Sequence, residues 1–324
     1  MPTTAARAPR ARIVAALAAV YLVWGSTYLA IRYAIVSLPP FLMGGVRFLV
    51  AGTLLYTFLR ARAHAPRPTV REWRWSALAG VLLLGIGNGS VAWAEQRVPS
   101  GTAALLVATV ALWVVVLEWV RPGGRRPPAL VLGGVLLGLA GVAVLVGPQG
   151  LGAGGAGARP VDLVGAIVLV VASLAWALGS LVARSGHAPR SMLLGAAMQM
   201  ITGGAWLVLF GLAVGEGAAL HPSAVTGRSL LALGYLVAFG SLVGYSAYIW
   251  LVGNVAPAVA TTYAYVNPVI AVLLGWAVAG EPLDARFAVA AAAIVGAVAL
   301  VTVGQARAPR AEAVEPRPAL RRSA

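Results

Sequence analysis

The chain has 324 residues, of which 60% are hydrophobic and only 10% are charged. Soluble domains carry about 25% charged residues, so this composition excludes an ordinary water-soluble fold. Glycine and proline are spread among apolar runs, which excludes a collagen-like or disordered chain. The composition therefore indicates a protein that crosses a membrane several times.

The residue types needed for covalent or metal chemistry are scarce. Cysteine is absent, and the three histidines fall in predicted loops without metal-ligand spacing. No nucleophile, carboxylate pair or metal cluster is visible. We therefore expect no catalytic residues, no metal site and no cofactor, and we do not expect an enzyme.

The net charge of +15 comes from 24 basic residues, all of them arginines. A nucleic-acid surface needs its charges clustered on a folded face. Here 23 arginines lie at the termini or between apolar runs, and Arg47 is the exception. The pattern argues against nucleic-acid binding, and the partners that we expect are the lipid bilayer and a small-molecule substrate.

Apolar runs bounded by Arg, Pro or Gly predict ten transmembrane helices. In chain order they span 12–32, 41–59, 75–93, 99–119, 129–147, 161–183, 191–214, 229–250, 257–278 and 286–304. Eighteen arginines lie on one side of these spans and five on the other. Because the arginine excess marks the cytoplasm, both termini are expected there, in a bacterial-type inner membrane.

The two halves of the chain align weakly with each other. A shift of 152 residues aligns Trp24 with Trp176, and a shift of 158 aligns Pro99 with Pro257. The matches keep their order and place helices 1–5 on helices 6–10. Because five crossings are an odd number, the copies must enter the membrane from opposite sides. Inverted repeats of this kind are typical of secondary transporters.

Four motifs carry a resemblance to a known family. They are Trp24-Gly25-Ser26-Thr27-Tyr28, Pro40 with Gly44-Gly45-Val46-Arg47-Phe48, Glu118-Trp119-Val120-Arg121-Pro122, and Asn267-Pro268 followed by Gly280-Glu281-Pro282-Leu283. They resemble the first, second, fourth and ninth helices of EamA-domain proteins in the drug/metabolite transporter (DMT) superfamily. The similarity covers residues 12–304, and it implies two EamA repeats that export or, less often, take up small metabolites.

Together, these patterns predict an all-α polytopic membrane protein with ten transmembrane helices, arranged as two inverted five-helix EamA repeats. The predicted divisions are a cytoplasmic tail at 1–11, a first repeat at 12–147, a linker at 148–160, a second repeat at 161–304, and a disordered cytoplasmic tail at 305–324.

Arg47 is the charge that lies inside a predicted span. It is about 9 Å along the second helix from the outer end, at 1.5 Å per residue. Its side chain could snorkel to the outer interface, or it could line a cavity and bind a substrate carboxylate through its planar fork of donors.

Asn88, Gln199 and Asn267 are neutral polar residues within apolar runs. They are candidates to orient a polar substrate, and the alternative is interhelical hydrogen bonding worth about 0.6 kcal/mol each. Asn267 is the strongest candidate of the three for substrate binding, because Pro268 removes a backbone donor and can free a carbonyl to face a cavity.

Aromatic residues complete the candidate substrate site. Trp24 and Tyr28 lie one turn apart, Trp176 is the repeat equivalent of Trp24, and Tyr265 precedes Asn267. They are expected to line a shared cavity that suits flat or cationic groups, with core packing as the alternative.

The nine acidic residues avoid the middle of every predicted span. Proton-coupled transporters commonly keep an intramembrane carboxylate or histidine. Either Glu95 or Glu118, near helix ends, serves this purpose, or coupling is weak or absent. The sequence favours the second alternative.

The function expected from these features is secondary transport of small metabolites, such as amino acids or related polar or aromatic solutes. Export by alternating access between the repeats is the expected mode. Efflux of drugs or aromatic cations is the alternative, and a non-transporting scaffold is less favoured. Small residues such as Gly134 and Gly138 allow close helix packing within a monomer or across a homodimer, and both states stay open.

Overall fold

A computed structural model describes residues 9–62, 67–98, 103, 106–124, 126–150, 162–185, 189, 191–279 and 285–307. Within these residues the regular structure is helical and contains no strand. The predicted all-α class is therefore confirmed.

The helices follow the predicted apolar runs. The first half contains α1 (Arg10–Ala34), α2 (Pro40–Ala61), α3 (Val70–Ala94), α4 (Leu106–Val120) and α5 (Ala129–Gly150). The second half contains α6 (Leu163–Ala183), α7 (Met192–Ala213), α8 (Gly227–Asn254), α9 (Tyr263–Ala279) and α10 (Ala285–Arg307). Short helical turns at Glu216–Ala219 and Pro257–Ala260 precede α8 and α9.

Seven of these helices, searched over the described residues, are long and apolar enough to cross a bilayer. They are α1, α2, α3, α6, α7, α8 and the part of α10 from Ala288 to Arg307. The apolar parts of α4 and α5 are shorter, at Leu106–Val120 and Ala129–Val144. The number of ten membrane crossings therefore stays a prediction.

Several helices extend beyond the runs that hydropathy marks out. The helix α5 continues to Gly150, so residues 148–150 of the predicted linker are helical, and α10 continues to Arg307, three residues into the predicted tail. Backbone hydrogen bonds extend a helix past its apolar segment, and arginine is a good helix former. Residues 1–8, 151–161 and 308–324, which hold the rest of the predicted tails and linker, lie outside the described part of the chain.

Helix packing follows a pattern that relates the two halves. The most extensive contacts join α2 to α7 and α5 to α10. In addition, α1 packs against α8 and α9, while α6 packs against α3 and α4. The pattern is unchanged when each helix is exchanged with the helix five positions away. Two repeats of similar structure would produce this packing.

Two hydrogen bonds show which helix ends lie together at each end of the bundle. At one end, called here the arginine-poor end, Ser229 Oγ donates to Tyr33 O at 2.8 Å, which joins the end of α1 to the start of α8. At the arginine-rich end, Arg184 Nη1 donates to Val255 O at 2.8 Å, which joins the end of α6 to the end of α8. It follows that α6 begins at the end of the bundle where α1 finishes.

The start of α2 is capped by a carboxylate from the second half. The residue before α2, Pro39, provides no side-chain cap. Instead, Glu216 accepts hydrogen bonds from Phe41 N at 3.2 Å and from Leu42 N at 2.8 Å. The first backbone N–H groups of a helix have no partner within it, and they carry partial positive charge. The carboxylate therefore stabilises α2 and ties it to the segment after α7.

Glycines allow backbone contact where the two halves meet. A Cβ added to Gly45 in α2 would lie 2.6 Å from Val208 Cγ2 and 3.0 Å from Gly204 O in α7. A Cβ added to Gly134 in α5 would lie 2.8 Å from Val301 Cγ2 in α10. Gly138, in contrast, packs against the ring of Tyr265. Small residues thus set the separation of the helix pairs that join the halves.

We predict opposite effects of alanine at two neighbouring glycines of α5. A Cβ at Gly133 would meet nothing within 4 Å, whereas one at Gly134 would also approach Ala297 O at 3.0 Å. Gly133→Ala should preserve or raise stability, by up to about 1 kcal/mol through helix propensity. Gly134→Ala should lower stability by about 1–3 kcal/mol because the helices must separate. Thermal unfolding in detergent measures both, and equal melting temperatures would contradict this packing.

Candidate functional site

A small cavity lies at the centre of the bundle, between the two halves. It is lined from the first half by α1, α2, α3 and α4, and from the second half by α6, α8 and α9. Six of the eight predicted site residues line it, namely Trp24, Tyr28, Arg47, Asn88, Trp176 and Asn267. Its volume is about 70 Å³. Pockets that hold a small-molecule ligand measure about 300–1,000 Å³, so this conformation is closed around its centre.

The two tryptophans meet in the middle of the molecule. The ring centroids of Trp24 and Trp176 are 5.6 Å apart, and the rings are nearly perpendicular, at 84°. A Cβ added to Gly244 would lie 2.6 Å from Trp24 Nε1, and one added to Gly87 would lie 2.9 Å from Trp176 Cε3. Each tryptophan therefore packs directly on a glycine of the opposite half.

Both glycines belong to stretches of π-helix, Val81–Asn88 within α3 and Leu236–Tyr245 within α8. The wider turns change which side chains face inwards, and such turns are frequent at functional sites. Here they bring Asn88 and Tyr245 to the cavity, and Gly240 O accepts a hydrogen bond from Trp24 Nε1 at 3.1 Å. Helical periodicity does not predict this geometry, and the closely spaced glycines in both stretches are the signal in the sequence that could indicate it.

Two further tyrosines complete the aromatic cluster. The ring centroid of Trp24 is 5.1 Å from that of Tyr248 and 4.8 Å from that of Tyr263. Tyr248 Oη accepts a hydrogen bond from Trp176 Nε1 at 2.9 Å and lies 2.6 Å from Ser180 Oγ. Because Ser180 Oγ already donates to Trp176 O at 2.7 Å, the Tyr248 hydroxyl is the donor to Ser180.

Arg47 lies inside the bundle and lines the cavity, where it is only 3% exposed. Its Nε donates to Ser241 Oγ at 2.8 Å, and its guanidinium carbon is 4.7 Å from the Phe48 ring centroid. Space for Nη2 depends on Gly240, where a Cβ would approach it to 2.7 Å. Among the described residues no carboxylate pairs with Arg47. The side chain thus presents an uncompensated positive charge at the cavity rather than snorkelling.

Asn267 provides an acceptor without a partner in the same cavity. The residue is 3% exposed, and its Oδ1 atom is buried without a hydrogen bond. Leaving a buried acceptor unsatisfied costs about 1–3 kcal/mol. Asn88 is less buried and also lines the cavity. Donor groups on Arg47 and an acceptor on Asn267 are therefore both available to a polar ligand.

Two predicted site residues do not line the cavity. Gln199 Oε1 accepts a hydrogen bond from Tyr245 Oη at 2.8 Å, so it lies behind a residue of the cavity wall. Tyr265 packs against Gly138 of α5, and its hydroxyl makes no hydrogen bond. Tyr263 faces the cavity instead. Two residues along a helix is about 200° of rotation, so neighbouring tyrosines face opposite sides.

A larger groove of about 840 Å³ lies at the arginine-poor end, beside α2, α3 and α7. Aromatic residues line much of it, including Phe41, Trp93, Trp206 and Phe210. None of the predicted site residues takes part. The central cavity is the better candidate for the site because it is lined by convergent, unpartnered polar groups.

A helical bundle with a polar, aromatic cavity between two similar halves is the architecture of a membrane transport protein. The profile of the EamA-like transporter family matches residues 11–147 and again residues 163–303. The chain belongs to the EamA-like transporter family, as the sequence motifs predicted.

Individual relatives agree with this assignment. The chain is 42% identical over 302 residues to the uncharacterized inner membrane transporter YedA of Escherichia coli K12, covering 93% of this chain and 94% of the relative. It is 24% identical over 306 residues to the uncharacterized transporter YvbV of Bacillus subtilis 168, covering 94% and 96%. A solved crystal structure aligns at a TM-score of 0.71 and 21% identity, over 92% of this chain and 99% of the other, which shows a shared fold.

Removing single hydroxyl groups tests the cluster around the cavity. Tyr248→Phe leaves the Trp176 indole N–H without its acceptor, and we expect a loss of about 1–3 kcal/mol of stability. Tyr265→Phe is a matched control, because Tyr265 is also fully buried but its hydroxyl has no partner. The Tyr265→Phe control should melt at the same temperature as the unchanged protein or at a higher one. A Tyr265→Phe variant that is less stable than Tyr248→Phe would contradict the assigned bonds.

Proposed function

We propose that the protein is a secondary transporter that moves amino acids or related polar and aromatic solutes out of the cell. The observation that carries this proposal is the central cavity between the two halves, with the uncompensated charge of Arg47 in its wall. The name of the Escherichia coli relative supports a bacterial inner membrane as the location. The arginine excess supports a cytoplasmic position for the arginine-rich end.

Alternating access between inverted repeats is the proposed mechanism. Tyr21 lies three residues before Trp24, towards the arginine-rich end. Its Oη atom is 2.6 Å from Oγ1 of Thr262, the residue before α9. Ser26 Oγ lies 2.6 Å from Tyr235 Oη and connects α1 to α8. The small cavity volume requires opening before a metabolite can enter. The opposite directions of α1 and α6 support an inverted relation between the halves.

The chemistry of the cavity favours a solute that combines a carboxylate with a donor group and a flat apolar part. A guanidinium can bind a carboxylate through two parallel hydrogen bonds. The free Oδ1 of Asn267 can accept from an ammonium or amide N–H. The rings of Trp24 and Tyr263 offer apolar faces to the remainder of the solute. An α-amino acid, especially an aromatic one, has all three features.

Efflux of aromatic cations is the second candidate. The aromatic cluster favours it, because tryptophan and tyrosine faces attract cations. The charge of Arg47 opposes it, because a cation in the same cavity would be repelled at low dielectric. A scaffold without transport is the least favoured candidate, since it gives no reason for unpartnered polar atoms at the centre of the bundle.

Counterflow in proteoliposomes tests the proposal without assuming a coupling ion. Vesicles loaded with an unlabelled amino acid, sugar, nucleoside or aromatic cation are diluted into the labelled solute. We expect labelled amino acids to accumulate transiently, and only in vesicles loaded with a solute that the protein carries. Accumulation restricted to aromatic cations would select the second candidate, and no exchange of any solute by folded protein would contradict transport.

We predict that Arg47→Met reduces counterflow of carboxylate-bearing solutes by about tenfold or more. Hydrogen bonds to charged groups contribute about 1.5–3 kcal/mol, and each 1.4 kcal/mol corresponds to a factor of ten. The protein should still fold, because an apolar residue of similar size removes a buried charge that has no carboxylate partner among the described residues, and burial of such a charge costs free energy. Arg62→Ala changes an exposed arginine just after α2 and serves as the control. Full exchange by Arg47→Met would show that Arg47 does not bind the solute.

A further inference from the structure

Glu95 is an acid with one buried carboxyl oxygen, and it takes no part in the solute contacts proposed above. It is the first residue after α3, at the arginine-poor end, and its backbone N–H donates to Val91 O at 3.0 Å. The side chain is partly buried overall, and its Oε1 atom is fully buried without a hydrogen bond. Burial without a donor disfavours the ionised carboxylate far more than the protonated acid.

Glu95 lies one turn beyond the cavity wall on α3, and its side chain is partly exposed to solvent. Its electrostatic neighbours on α1 are Tyr28 and Arg32, which are one turn apart. Tyr28 lines the cavity, and so does Val91, one turn before Glu95 on α3. Arg32 is exposed, and it forms no ion pair with Glu95 among the described residues. Glu95 is thus close enough to the cavity wall to respond when this end opens.

The other charged groups nearby have their own partners. Arg97 follows Glu95 in the chain and pairs with Asp162, at the start of α6, over 3.9 Å. From α2, Arg47 bonds to Ser241 of α8. Burial therefore dominates, and it raises the pKa of Glu95 to about 8, while the charge of Arg32 lowers it only in part.

We propose that Glu95 is a proton-binding site that couples proton uptake to closure of the cavity at the arginine-poor end. On closure, a proton from the solution at that end forms an O–H bond with the carboxylate. On opening, water hydrates the group and the proton returns to the solution. No other bond changes. The inference rests on the alternating access proposed above, and it replaces the weak or absent coupling that the sequence favoured.

The direction of the pH effect follows from the two protonation equilibria. The hydrated group in the open state has a pKa of about 4.3, and the pKa in the closed state is about 8. Well below the lower value both states are protonated, and well above the higher value both are ionised. Between them, closure takes up one proton, so each unit of rising pH favours the open state up to tenfold. Acid solution at this end therefore promotes closure.

A cysteine reporter measures this opening without any transported solute. The chain has no cysteine, so Val91→Cys introduces a single thiol in the cavity wall. Its rate of modification by a membrane-impermeant thiosulfonate is followed from each side, in right-side-out and inside-out vesicles. The measurement is repeated in the Glu95→Gln background, which mimics the protonated acid. At each pH, the modification rate with Glu95 present is divided by the rate in the Glu95→Gln background. This ratio removes the pH dependence of the thiol itself.

We expect this ratio to rise between about pH 5 and pH 8, by up to tenfold per unit, and then to level off. The rise should occur only from the side that meets the arginine-poor end. Glu118→Gln is the matched control, because Glu118 pairs with Arg121 over 3.0 Å near the arginine-rich end. It should leave the pH dependence unchanged. A ratio that is independent of pH in folded protein would overturn the proposal.

Infrared difference spectra between about pH 6 and pH 10 provide a second measurement. A protonated carboxylic acid has its own carbonyl band, and we expect one that titrates near the pKa of the closed state and is absent in Glu95→Gln. An unchanged set of carbonyl bands in Glu95→Gln would also overturn the proposal. Because neither measurement needs a substrate, failed counterflow with a positive reporter result would contradict transport alone. Counterflow with a flat reporter ratio would contradict only the role of Glu95.

Discussion

The reciprocal contact between tryptophan and glycine at the centre of the bundle is the constraint on which the site depends. Trp24 of the first half fits against Gly244, and Trp176 of the second half fits against Gly87. Any side chain at either glycine would push a large ring out of position. This single pair of contacts fixes the separation of α1 from α8 and of α6 from α3. It therefore also fixes where Arg47 and the other polar groups of the cavity can meet.

The sequence carried much of this arrangement. The weak internal alignment already paired Trp24 with Trp176, and hydropathy located the described helices, with ends that differ by up to seven residues. The facing of individual side chains was harder to predict, because wide turns within α3 and α8 rotate every residue that follows. An ideal helix gives no warning of such a turn. Tyr263 lines the cavity and the predicted Tyr265 does not. Both are tyrosines, and only tertiary packing distinguishes their sides of α9.

Electrostatic roles depended even more on tertiary structure. Arg47 had two open alternatives in the sequence, and the decision came from space beside Gly240 and a hydroxyl on Ser241, both in the other half of the chain. Glu95 looked like an ordinary acid at a helix end. Its Oε1 atom is buried without a hydrogen bond, and a pattern of residues along one helix does not encode the tertiary packing that buries it.

The carboxylate cap on α2 has a mechanical consequence. Glu216 caps the first turn of α2, and Gly45 and Gly204 allow close backbone contact. As a result, α2 and α7 form a tightly packed pair with one helix from each half. The helices α5 and α10 form a second tightly packed pair with one helix from each half. These contacts between the halves oppose a separation of the two halves as rigid bodies. In the proposed alternating access, opening would therefore have to bend helices within each half, and the wide turns of α3 and α8 are the places where such a bend fits best.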